Sequence, residues 1–157
     1  MKTTDPFMIR AIELAAKAGL GERGGGCFGA VVVRNGEVVG EGYNRVLTRM
    51  DPTAHGEMEA IRNACKYLQT HILADCTLYT SSEPCPMCMC AAGWARIPKI
   101  IYASTIEDAR DYGGFDDVAF YEKVMNKTVA ESICDHGARD DMRELWEKYR
   151  AIKPVLY

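Results

Sequence analysis

The chain has 157 residues, the length of one domain with its own core. Its 22 acidic and 19 basic side chains give a formal charge of −3 with no Lys/Arg block, which argues against a protein that mainly grips a polyanionic backbone and favours a small neutral substrate. Charge arrives at Arg10 and Glu13 before any long apolar run, so neither signal peptide nor membrane span is expected; seven cysteines, an odd number, suit a reducing cytoplasm better than a disulfide framework.

Asp5-Pro6 can cap and start a first helix, in which Phe7, Ala11, Leu14, Ala15 and Ala18 recur every three or four residues up to Gly19. After Gly24-Gly25-Gly26, a strand from Gly29 to Arg34 turns at Asn35-Gly36 into a second from Glu37 to Gly42, forming a hairpin. A helix from Ala54 to Leu68 buries Ala60, Ile61, Ala64 and Leu68; a strand follows at Cys76 to Ser81, a helix at Cys85 to Ala95 and a strand at Lys99 to Ser104. The last strand–helix–strand unit is long enough for a crossover, which predicts parallel strands with helices on both faces of the sheet. The fold class is α/β in layers, without repeats or low-complexity linkers. Beyond Ser104, Asp117 to Met125 and Asp140 to Arg150 read as helices, Thr128 to Ile133 as a short edge strand, and Pro154-Val155-Leu156-Tyr157 as a docked end.

Chemistry concentrates in two segments, His55-Gly56-Glu57 and Pro84-Cys85-Pro86-Met87-Cys88. A structural zinc site is normally closed by four protein ligands, whereas a catalytic one keeps a position for water. His55, Cys85 and Cys88 make three ligands, and Glu57, two residues from the histidine, suits proton transfer better than ligation. Cys-x-x-Cys alone also fits a redox pair or half a zinc ribbon, but His-x-Glu upstream of Pro-Cys-x-x-Cys is the signature of zinc nucleobase deaminases. His55 is expected in the first turn of its helix, with Cys85 and Cys88 sharing a face at the start of another. Both helix N-termini then converge on the metal and favour thiolates, while Pro84 and Pro86 suit a helix start. Cys90 lies about 200° around the helix from Cys88 and points elsewhere. Cys27, Cys65, Cys76, Cys90 and Cys134 read as small hydrophobes or incidental thiols, and His71 and His136 as solvated.

These motifs, with Gly25-Gly26-Cys27-Phe28-Gly29-Ala30, Asn44 in Gly-Tyr-Asn-Arg-Val, Asp51-Pro52-Thr53-Ala54-His55, Trp94-Ala95-Arg96, Gly114-Phe115-Asp116-Asp117 and terminal Tyr157, resemble the cytidine-deaminase superfamily over nearly the full length, and within it the bacterial guanine-deaminase branch. The resemblance implies a three-layer α/β/α sandwich around a mixed five-stranded sheet and one zinc per subunit. It also implies a homodimer that exchanges C-terminal segments, about residues 140–157, so that each Tyr157 completes the other subunit's pocket. It implies that guanine becomes xanthine and ammonia, in purine salvage or catabolism, with Glu57 moving protons for a water whose pKa zinc lowers from about 15.7 toward about 7. By the same resemblance Phe28 stacks on the base, Asn44 bonds its edge, Gly56 lies at the backbone contact to that edge, and Asp117, with Asp116, accepts from guanine N–H groups. Cys27 stands where many relatives have proline, and Gly56 where alanine is usual.

Bland readings stand beside these. Gly-Phe-Asp-Asp also fits a helix start with aspartate as N-cap, and Tyr157 also fits an apolar tail packed on its own subunit. The zinc site could be purely structural, or the scaffold inactive. Other substrates suit the same motif: guanosine, cytosine or an aminotriazine, since pocket shape sets the choice. A tRNA-adenosine deaminase shares the motif but lacks support from any basic C-terminal helix here. A binding or redox protein using Cys-x-x-Cys is the reading from another class.

Overall fold

The computed structural model describes residues 3–118 and 121–122. The chain divides into two compact units, Met1–Tyr121 and Glu122–Tyr157, and the first carries all the elements below.

Helix α1 (Pro6–Ala16) starts where the Asp5 carboxylate accepts from the Phe7 and Met8 amides at 2.9 and 3.3 Å, with proline where an N–H would lack a partner. It runs on through one π-helical turn, Lys17–Gly21, two residues past the expected stop. Strands β1 (Gly29–Arg34) and β2 (Glu37–Tyr43) form the predicted hairpin, and Asn35 and Gly36 both take positive φ, +52° and +80°, as a primed two-residue turn requires. Then come α2 (Val46–Arg49), α3 (Gly56–Leu68), β3 (Cys76–Ser82), α4 (Pro86–Trp94), β4 (Lys99–Ser104) and α5 (Ile106–Gly113).

The sheet order is β2-β1-β3-β4, with β1 antiparallel to both neighbours and β3 parallel to β4, so the sheet is mixed. Because side chains alternate along β1, Ala30 and Val32 join α3 and α4 residues Ala60, Ile61, Ala64 and Ala92 on one face, while Val31 and Val33 meet Leu14 of α1 on the other. This is the expected three-layer α/β/α sandwich. Burying each β1 valine contributes about 1.5–3 kcal/mol relative to exposure, which is why the strand reads as an unbroken apolar run. Helix α3 lies directly on the backbone of β2: a Cβ at Gly42 would come within 2.2 Å of the Gly56 carbonyl oxygen and 2.4 Å of Ala60 N. That close approach fixes where α3 begins, and hence where His55 stands.

Several expectations are corrected. The helix expected from Ala54 begins at Gly56, with His55 as its N-cap, and that expected from Cys85 begins at Pro86, with Cys85 as its N-cap. Both residues keep extended φ/ψ, so their side chains lie across the helix mouth rather than along its flank. Helices α2 and α5 were not anticipated. The Thr105 hydroxyl accepts from Asp108 N at 3.2 Å while the Asp108 carboxylate accepts from Thr105 N at 2.9 Å; this capping box uses Asp instead of the usual Glu. Of the helix expected over Asp117 to Met125, Val118, Tyr121 and Glu122 are helical and Asp117 is not. Among the described residues the sheet has four strands where five were expected; the strand expected over 128–133 and the helix expected over 140–150 fall outside the described residues, as do Cys134, His136 and Tyr157.

Candidate active site

The mouths of α3 and α4 meet beside the end of β3. His55 Nδ1 lies 3.6 Å from Cys85 Sγ and 3.7 Å from Cys88 Sγ, and the two sulfurs are 3.7 Å apart. Tetrahedral zinc with bonds of about 2.3 Å to sulfur and 2.0–2.1 Å to nitrogen requires S···S and S···N edges of about 3.8 and 3.6 Å. The three donors therefore already span three corners of such a site, and no other His, Cys, Asp or Glu among the described residues joins that group.

Electrostatics agree with the geometry. Hydrogen bonding with Cys88, then with His55, holds the Cys85 thiol down at about 4, while hydrogen bonding with Cys85 and burial push Cys88 well above the ordinary thiol range. One thiolate is favoured and the second opposed, a conflict that a dication between them removes. The imidazole of His55 is raised by its bond to Cys85.

Glu57, in the first turn of α3, is buried at 4% exposure, and that burial pushes its carboxyl above the usual range, so a proton is held there readily. Its Oε1 lies 3.3 Å from the Thr80 hydroxyl, which also reaches the Ser82 carbonyl at 3.0 Å. Gly56, buried beneath, is tightly seated: a Cβ would stand 3.1 Å from the Phe28 carbonyl oxygen and 3.2 Å from Gly29 Cα. Alanine there would push the α3 start off β1 by a few tenths of an ångström.

A cavity of about 920 Å³ opens over this corner, lined among others by His55, Phe28, Asn44, Phe115, Tyr112 and Asp117. Phe28 and Phe115 pack edge to face, centroids 5.0 Å apart. Asn44 is buried, and its Oδ1 accepts from Val46 N at 3.1 Å, so the amide offers its Nδ2 donors to a ligand. Asp117 is on the wall, with its carboxyl pushed up by burial and then by the Cys85 charge; Asp116 is exposed and not among the lining residues. Cys27 lines the rim and is exposed, as is Cys90; Cys65 is half-buried and Cys76 buried. His71 is exposed at the surface.

Residues 1–104 match the family described as the cytidine and deoxycytidylate deaminase zinc-binding region. The chain belongs to that family. It is a zinc-dependent hydrolase of the deaminase class, and the His55, Cys85 and Cys88 group is where one ion can be held. Among similar proteins, the guanine deaminase of Bacillus subtilis is 48% identical over 129 residues, covering 82% of this chain and 81% of its own. A tRNA-specific adenosine deaminase of the same organism is 39% identical over 161 residues, covering 99% of each. The X-ray structure of guanine deaminase from Bacillus subtilis superposes with a TM-score of 0.81 at 40% identity, over 94% of this chain and 95% of that one.

Sequence reasoning passed over Thr80, Glu59 and the wall role of Phe115. Thr80 could have been found from strand period: it shares the face of Leu78, which packs on the α3 side of the sheet. Glu59, 4% exposed, accepts from Arg49 at 2.8 Å and Arg62 at 3.0 Å, with Arg45 at 4.0 Å, and so pins α2 to α3.

Proposed function

We propose that this protein hydrolyses guanine to xanthine and ammonia. The observation that carries the reading is Asp117: a carboxylate on the wall of the cavity that also holds His55, Phe28 and Asn44. Guanine presents N1–H and an amine to such an acceptor, whereas adenine presents an unprotonated N1. The 48% identity to a guanine deaminase supports the same substrate.

His55, Cys85 and Cys88 would hold a zinc ion, which when bound would make a water ionise near neutral pH. Glu57 takes a proton from that water, holds it in its buried carboxyl, and delivers it to N3, the ring nitrogen double-bonded to C2. A second delivery, to the exocyclic nitrogen, lets ammonia leave C2, so water is consumed and one C–N bond is exchanged for C–O. Phe28, braced by Phe115, offers a ring face to the purine, and Asn44 Nδ2 donates to an acceptor on its edge. Asp117, and Asp116 where it can reach, orient the base from the other side.

The reading extends to a single deaminase domain over residues 1–157, acting in the cytoplasm as a homodimer in which Tyr157 serves the neighbouring subunit's cavity. Those features rest on the resemblance; no helix among the described residues is long and apolar enough to cross a membrane. The test is ammonia release from guanine, guanosine, adenine, cytosine and tRNA by zinc-loaded protein. Release from guanine foremost is expected, and release only from another compound moves the assignment to that compound. Sedimentation and deletion of Tyr157 check the dimer, which predicts a two-chain mass and lowered turnover.

A further inference from the structure

The carboxylate that moves the protons must change state twice in each turnover without leaving its place, and the structure shows a group suited to hold it in both states. Thr80 is 1% exposed on β3, and its hydroxyl has two acceptors, Glu57 Oε1 at 3.3 Å and the Ser82 carbonyl at 3.0 Å. A hydroxyl carries one proton and two lone pairs. It therefore donates to one of these at a time, and its oxygen is left to accept when the proton is turned away. We infer that Thr80 is a positioning residue for Glu57, its hydroxyl donating to the carboxylate before water is deprotonated and turning to the Ser82 carbonyl to accept from the carboxylic acid afterwards.

Both arrangements keep the hydrogen bond between Thr80 and Glu57 without moving a heavy atom, which a carbonyl or an ammonium at that place would not allow. Neither would valine, which has the same shape but leaves Glu57 without that partner in both states and the Ser82 carbonyl without it in one. Ser82 ends β3, and the chain then runs through Pro84 into Cys85, so the same hydroxyl ties the α3 carboxylate to the segment that presents a ligand. Thr80 does not line the cavity, so it is not placed to touch substrate.

This inference rests on the proposed role of Glu57, and the experiment separates the two. Wild type, Thr80→Val and Thr80→Ser are loaded with zinc, and their metal content, melting midpoints, kcat and KM are measured on whichever of guanine, guanosine, adenine, cytosine and tRNA the wild type deaminates best. For Thr80→Val we expect kcat to fall about 10- to 100-fold, the worth of one hydrogen bond to a charged group, with KM within about 2-fold and zinc content unchanged. Thr80→Ser should recover kcat to within about 3-fold of wild type, because serine restores the hydroxyl without the methyl. Unchanged kcat in Thr80→Val overturns the inference. So does failure of serine to rescue, or a loss of kcat that tracks lost zinc or a raised KM. Should Thr80→Val not fold, Thr80→Ala is compared with Thr80→Ser under the same criteria. Activity on a base other than guanine shifts the substrate while leaving Thr80 on trial; no activity on any of the five sinks both.

Discussion

Two walls of one cavity are made differently. The inner wall, where His55, Cys85, Cys88 and Glu57 stand, consists of residues at the mouths or first turns of helices packed on a sheet whose central strand is buried on both sides. The outer wall is contributed by separate segments: Phe28 and the glycine-rich run before it, Asn44 and α2, then Tyr112 in α5 and Phe115 after it. The extremes of exposure follow the same divide, for Glu57 and Cys88 are nearly inaccessible while Tyr112 is 90% and Phe115 40% exposed; Asn44, buried on the outer wall, is the exception. The contrast assigns reactivity to rigid framework and selectivity to adaptable edges, and variants on each wall should move different kinetic constants.

The largest effect belongs to the inner wall. Glu57→Gln keeps size and burial but cannot shuttle protons, so kcat should fall by about 10⁴-fold or more, at or beyond the upper end for a general acid–base group, with KM little changed. Bound zinc, measured by elemental analysis, should stay at one per chain, because the ligand set is complete without this carboxylate. Loss of metal in this variant would make Glu57 a ligand and erase the distinction between holding the ion and moving protons.

A smaller effect lies where the two walls join. Glu59 gathers Arg49 and Arg62, with Arg45 near, and Arg45 also lies 4.5 Å over the Tyr43 ring. Glu59→Gln leaves these cations without their shared charge; since each is at least 30% exposed, water offsets much of the loss. A destabilisation of about 2 kcal/mol, or about 4–8 °C in melting midpoint, is expected by calorimetry. KM should rise as α2 loosens, while kcat holds, if the walls are as separable as their construction suggests.

How much of this was legible follows the same divide. The triad and Glu57 were readable because metal ligation demands particular residue types at short spacing, and Asp5-Pro6 and Asn35-Gly36 because caps and primed turns are local chemistry. Thr80 was not, since a threonine in a strand looks the same whether it faces solvent or a carboxylate; only the tertiary packing of α3 on that face gives it a role. Glu59 resembles any acidic residue in a helix's first turn until three arginines from other turns close over it. Helix α5 was missed because its eight residues carry only a short apolar spacing and none of them is buried, although its Thr-x-x-Asp box was in view. Phe115 pairs with Phe28 across the whole sheet-forming part of the chain, a contact that no local pattern encodes.

The outer wall offers the finest test of the comparison at Gly25. A Cβ placed there would stand 1.9 Å from Asn44 Oδ1 and 2.6 Å from its Cγ, so alanine forces the amide out of its seat. The displaced amide loses its bond from Val46 N, which costs about 1 kcal/mol of stability, and no longer aims Nδ2 into the cavity. Under the proposed function that donor meets substrate in ground and transition states alike, so its loss is one of uniform binding: KM for guanine should rise about 10-fold with kcat within about 2-fold. Steady-state kinetics on Gly25→Ala decide it. A fall in kcat at constant KM would instead mean that Asn44 bonds the base only as the C2 centre becomes tetrahedral, and selectivity and reactivity would then share the same residues.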